Sequence, residues 1–140
     1  MSNQFNGTGN IGMPPILKTV SVKGEQRKVL ELRVLFDAYK SDGNDGYVQD
    51  DAASFWKDVV VWGDRGERAA SHLVKGARVH VTGTVRGEKW KDKTTGEDRY
   101  SDSVQADDVF LSFVRVEAVT YRQPKEGDGQ NAGASENHAQ

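Results

Sequence analysis

The chain has no cysteine, three prolines, two methionines and no long apolar run. Without cysteine there is neither a disulfide framework nor a thiolate metal site, which fits a reducing compartment. No stretch approaches the length of a membrane span, and the start, MSNQFNGTGN, lacks the basic-then-apolar pattern of a secretory signal. A cytoplasmic protein with no membrane association is therefore expected. An excess of charge of one sign is missing too, since 19 basic groups face 21 acidic ones. A polyanion partner is not written in that balance, so any such function must rest on a local patch. At 140 residues the chain can build one domain with a real core, but not two ordinary ones.

Charge is unevenly distributed along the sequence. Residues 1–123 hold 18 groups of each sign, and the remaining −2 comes from Lys125 set against Glu126, Asp128 and Glu136. Residues 75–99 carry seven basic groups against four acidic ones, whereas residues 37–51 set Lys40 against five aspartates. The basic segment contains VRGEKWKDKTTGEDRY, where Trp90 stands among charged side chains.

Alternation of apolar and polar residues dominates the first ninety positions. In VLELRVLFDAY, Leu30, Leu32, Val34 and Phe36 share one parity and Glu31, Arg33, Asp37 and Tyr39 the other, as a half-buried strand requires. In ARVHVTGTVRGEKW, Val79, Val81 and Val85 share a face, and Arg86 and Trp90 fall on the opposite one, unless Gly87 marks a bulge. SFWKDVVVW places Trp56, Asp58 and Trp62 on one face and Phe55, Lys57, Val59 and Val61 on the other. Further strands are expected in QFNGTGNIG into ILKTVSV, and in DSVQADDVFLSFVRVEAVTY. DRGERAASHLVKG breaks the pattern: Asp64 and Glu67 have capping-box spacing, Ala69, Ala70, Leu73 and Val74 form a helical stripe, and Gly76 ends it.

Strand, strand, strand, helix, strand, strand is the order of an all-β OB-fold, a five-stranded Greek-key barrel with one short helix between strands three and four. The expected domain is 1–122, followed by a disordered tail over 123–140 that offers nothing to a core. KSDGNDGYVQDDAAS, between strands two and three, has the length and composition of a binding loop.

No assembled catalytic centre is visible. His72, His80 and His138 have no ligand spacing, and the pairs Asp50-Asp51 and Asp107-Asp108 read as solvated carboxylates rather than a magnesium site. No phosphate loop, nucleophile elbow or zinc-binding helix motif occurs, so neither an enzyme nor a cofactor is expected. The aromatics say more. Trp56, Trp62, Trp90 and Tyr39 take the outward parity of their strands, where burial worth about 1.5 to 3 kcal/mol each is forgone. They are interleaved with Arg33, Lys57, Arg86, Lys89 and Lys91. Flat rings beside cations suit single-stranded nucleic acid, because bases stack on the rings while cations follow the phosphates. An OB-fold module whose aromatic wall binds protein is the alternative.

From Gln4 to Val109 the chain resembles the bacterial single-stranded DNA-binding protein family. GNIGMPP is similar to that family's first-strand exit. FWKDVVVWGDRGERAASHLVKGARVHVTGTVRGEKWKDKTTGEDRY is similar to its central block, from the Trp strand through the short helix to the Lys-Trp hairpin. The order and spacing of these motifs over some hundred residues make the resemblance specific. It implies sequence-tolerant coating of single-stranded DNA in replication, recombination, repair or mobile-element transfer, by a non-catalytic homotetramer or, alternatively, a dimer. It implies stacking on Trp56, Trp62 and Trp90, with Tyr39 as the fourth aromatic, and it places Lys89, Lys91, Lys93 and Arg99 near phosphates. Three departures stand out. Asp58 lies where the family tends to a basic residue. VFLSFVRVEAVTYRQ is longer and more apolar than the family's domain end, and suggests an extra strand or a different subunit contact. The sequence ends SENHAQ rather than in an acidic run tipped by Pro-Phe, so the resemblance does not extend to recruitment of replication and repair enzymes. A copy carried on a mobile element would account for such departures.

Overall fold

The computed structural model describes residues 3–124. The tail expected over 123–140 lies, from Lys125 onward, outside the described residues. In chain order the elements are β1 (Asn3–Ile11), β2 (Ile16–Val22), β3 (Glu25–Phe36), β4 (Tyr39–Ser41), β5 (Tyr47–Gln49), β6 (Phe55–Trp62), α1 (Gly63–Ala70), β7 (Arg78–Lys91) and β8 (Asp98–Leu111). A 3₁₀ turn follows at Phe113–Arg115.

Six strands form one sheet in the order β1-β7-β8-β6-β3-β2, and β1 also pairs with β3. That last pairing, Gly9 to Phe36 through Ile11 to Val34, closes five of them into a barrel. All contacts are antiparallel except β6 with β8, where Asp58, Val59 and Val60 face Ser103, Val104 and Gln105 in parallel. The early region expected as one strand is two. Met13, Pro14 and Pro15 interrupt it, the prolines having no N–H to give a ladder. β1 and β2 nevertheless cover consecutive lengths of the same edge of β3, β2 taking Glu25 to Glu31. The β2–β3 hairpin turns on Lys23 and Gly24, both at positive φ (52° and 83°), as a two-residue turn matching strand twist requires.

Alternation places the core. Leu30, Leu32, Val34 and Phe36 of β3, Val59 and Val61 of β6, Val79 and Val81 of β7, and Val104 of β8 all point inward and are buried with Ile11. Each such side chain contributes about 1.5 to 3 kcal/mol through removal from water. The register of β7 on β8 runs unbroken through Gly87, opposite Asp102, so Trp90 keeps its outward parity. The irregularity falls instead at Thr82/Gly83, where Asp107 of β8 is left without a partner.

Three local expectations are corrected. The helix starts at Gly63 with Trp62 as N-cap and no side-chain cap, so the Asp64 capping box does not form; Asp64 sits in the first turn, where its charge still suits the helix dipole. The helix stops at Ala70, before Gly76, because the N–H groups of Ser71 and His72 tighten onto the carbonyls of Arg68 and Ala69. Leu73 is buried beyond that end, while Val74, expected on the same stripe, is exposed. The apolar segment after Asp108 adds no further strand among the described residues: β8 ends at Leu111, and Phe113, Val114 and Tyr121 are exposed.

The third correction concerns the loop carrying Tyr39. β3 ends at Phe36, so Tyr39 lies on the β4–β5 hairpin of the connecting loop rather than on the barrel wall. Asp37, expected outward, turns in with its side chain only 1% exposed. There it accepts from both terminal nitrogens of Arg78, at 2.8 and 3.0 Å, and from Asn10 at 3.4 Å. The hydrogen bond to Asp37 holds the Arg78 guanidinium above its ordinary pKa despite partial burial. This pair ties the root of the loop to β1 and β7.

Candidate nucleic-acid interface

The outer face is built from the residues that alternation leaves over. Register aligns Arg33 of β3 with Asp58 of β6, Asp58 with Ser103 of β8, and Ser103 with Arg86 of β7. One row thus crosses four strands. Trp56 and Trp62 flank Asp58 on β6 with the same parity, and six residues of strand put them about 20 Å apart. Further along β7, on the arm where β7 and β8 leave the barrel as a hairpin, Trp90 faces Arg99.

All three tryptophans are close to half exposed, at 47%, 42% and 49% for Trp56, Trp62 and Trp90. Trp56 and Trp62 are each positioned from one side. The Trp56 ring lies over Gly12, where an added Cβ would come within 2.3 Å of it, and the Arg33 guanidinium stands 5.9 Å from its centroid. Trp62 donates its indole N–H to Gln105 at 3.0 Å, and Gln105 is oriented in turn by donating to Ser103 at 3.1 Å. Such rings present an accessible π-face at little further cost in conformational freedom. Tyr39 is exposed, with its hydroxyl 3.4 Å from Asp37.

The candidate cations divide between two faces. Arg33, Arg86 and Arg99 share the parity of the tryptophans. Lys57, Lys89 and Lys91 have the opposite parity, which inside the barrel would be core. Lys57 lies at the barrel end and reaches Asp102 at 2.6 Å with Phe55 beneath it, whereas Lys89 and Lys91 ride the protruding arm, whose two sides both meet solvent. Lys93 stands in the turn at the tip. The turn is shaped by Asp92, whose carboxylate accepts from the backbone N–H groups of Thr94 and Thr95 and from Arg99. Those bonds lower its pKa from the ordinary carboxylate value.

Three contributors escaped the sequence reading. Tyr100, opposite Lys89, is well exposed with the Lys89 ammonium 5.7 Å over its ring. It shares the parity of the buried Val104, and the departure of the arm from the barrel leaves it in solvent. Gln105 and Gly12 act through Trp62 and Trp56, contacts that have no signal in a single sequence. Among the described residues no group of three or more His, Asp or Glu is placed to hold a metal ion, and no helix is long and apolar enough to cross a membrane.

A closed five-stranded barrel with its helix between β6 and β7, and aromatic rings along its strand face, defines an OB-fold protein of the oligomer-binding type. The sequence profile of the single-strand binding protein family matches residues 3–112. The chain belongs to that family. Its fold is similar to the crystal structure of the small single-stranded DNA-binding protein from Streptomyces coelicolor (TM-score 0.66, 16% identity, 82% of this chain and 98% of that one). It is also similar to the Plasmodium falciparum SSB in its complex with ssDNA (TM-score 0.60, 19% identity, 80% of this chain and 96% of that one).

Proposed function

We propose that this protein is a non-catalytic, sequence-tolerant binder of single-stranded DNA that stacks bases on Trp56, Trp62 and Trp90, with Tyr39 as a fourth platform on its loop. The observation that carries the reading is the set of three half-exposed indoles with one parity on one strand face, of which Trp56 is seated on Gly12 and Trp62 is held by Gln105. A strand face turned only to water has no use for them, whereas every base has a π-face to offer. Membership of the single-strand binding protein family and fold similarity to a protein captured with ssDNA support the same partner. The protein coats single strands in replication, recombination, repair or the transfer of mobile DNA, and does so as a homo-oligomer.

The test is titration with oligo-dT, read by intrinsic fluorescence. Binding quenches the tryptophans; tight binding with unchanged fluorescence removes the stacking mechanism. Trp90→Ala weakens binding by about 1 to 3 kcal/mol, the stacking contribution of one base, and leaves the circular dichroism of the barrel intact. A melted domain would instead make Trp90 a structural residue.

The second reading, a protein-interaction module, is favoured by the exposed apolar stretch of Phe110, Phe113, Val114 and Tyr121. Sedimentation separates the two. An oligomer whose mass does not change on adding oligo-dT supports the interaction module.

A further inference from the structure

We infer that Asp58, Asp98 and the neighbouring carboxylates are built-in counter-ions of the strand-binding surface, so that DNA is held chiefly by stacking and with little dependence on salt. The inference rests on the reading just proposed. Seven cations, Arg33, Lys57, Arg86, Lys89, Lys91, Lys93 and Arg99, are placed to follow phosphates, and five of them already face a carboxylate. Arg33 meets Asp58 at 2.9 Å and Lys57 meets Asp102 at 2.6 Å. Lys89 and Lys91 share Asp98 at 3.4 and 3.6 Å, and Arg99 lies between Asp92 at 3.3 Å and Glu97 at 3.9 Å. Among the described residues, Arg86 and Lys93 alone of the seven have no such partner. The groove beside Trp62 repeats the pattern, with Glu31, Asp58, Glu88 and Asp102 on its walls against the single ammonium of Lys18.

Exposed ion pairs such as these add little to folding stability. Their effect on a ligand is different, because it depends on both charges being present and not on the strength of the bridge. A phosphate drawn to Arg33 meets Asp58 well inside the screening length, about 10 Å at 0.1 M salt. What it feels is the net charge of the pair. Counter-ions leave a nucleic acid in proportion to the phosphates that are neutralised, so paired cations drop out of the salt dependence. The seven cations meet five carboxylates, Asp58, Asp92, Glu97, Asp98 and Asp102, so the surface then acts through a net of two positive charges.

The measurement is the affinity of the full chain for oligo-dT between 50 and 200 mM salt, for the wild type, Asp58→Asn and Asp58→Asn/Asp98→Asn. With a slope of about −0.7 per neutralised phosphate on a single strand, two free cations give about −1.4, which is a loss of about 7-fold over that range. Seven free cations would give about −5 and a loss approaching 1000-fold. Asp58→Asn and Asp98→Asn each remove one negative charge, so the double variant acts through about four net positive charges, reaches a slope of about −2.8 and loses about 50-fold. Both carboxylates are substantially exposed and circular dichroism checks that the barrel persists; the wild-type slope is decisive even if a variant fails to fold. A wild-type slope near −5 overturns the counter-ion inference while leaving the strand-binding reading standing, as does a double variant no steeper than the wild type. Absence of binding and quenching at 50 mM salt overturns the strand-binding reading itself, and this inference with it.

Discussion

Gly12 carries no side chain, and the ring of Trp56 occupies the place where one would be. The consequence is specific to one indole. In Gly12→Ala the new methyl would lie 2.3 Å from the ring, and since the ring is half exposed it swings outward rather than straining the core. Stability should change little, while Trp56 fluorescence shifts and oligo-dT affinity falls by about 1 to 3 kcal/mol, the share of one stacking platform. An unchanged affinity would show that Trp56 needs no seat. At this scale the tryptophans were legible in the sequence, because period-two alternation is a property of the extended backbone itself. The same alternation sets Lys57, Lys89 and Lys91 on the side opposite Trp56 and Trp90, but the carboxylates that they meet were not legible, because those lie on other strands or across the hairpin.

The arm formed by the ends of β7 and β8 turns at Asp92, and its geometry is linked to pH. Backbone N–H groups of Thr94 and Thr95, then Arg99, stabilise the ionised carboxylate and depress its pKa in the folded state. A carboxylate depressed in this way supports the turn above its unfolded pKa, and that support is lost as pH falls through the folded value. Protection of the Thr94 and Thr95 amides from exchange should therefore be present at neutral pH and disappear on acidification below the ordinary carboxylate range. Asp92→Asn should abolish that pH step; a step that survives the substitution assigns it to another group. The exposed turn at Thr94, Thr95 and Gly96 was visible in composition. The helix boundary was not, because Asp64 and Glu67 have the spacing of a capping box yet the N-cap is Trp62, two residues earlier, and the helix starts at Gly63 with φ of 74°.

For the molecule as a whole, the decisive contact is the closure of β1 on β3. Gly9 stands at that seam, and a Cβ there would lie 2.2 Å from the carbonyl oxygen of Leu35, a backbone atom that cannot turn aside. Gly9→Ala should cost about 3 kcal/mol, the upper end for overpacking, read as a lower denaturant midpoint. The same substitution at Gly24, where the space is open but φ is 83°, strains only a local turn. A Gly9→Ala protein of undiminished stability would mean that the seam opens without penalty.

The sequence by itself determined which side of each strand faces the core and which aromatics are left outside, since both follow from side-chain alternation along one strand. The order of strands around one helix, and with it the barrel class, followed from the same local patterns. Tertiary structure alone decided which strands adjoin, and therefore that Arg33, Asp58, Ser103 and Arg86 form one row although they are distant in the chain. It also decided that Asp37 is buried against Arg78, and that five of the seven candidate cations meet carboxylates. The physical reason is common to these cases. Alternation is set by the covalent chain, whereas the partner of a charge is set by register between strands, and register is fixed only when the barrel closes.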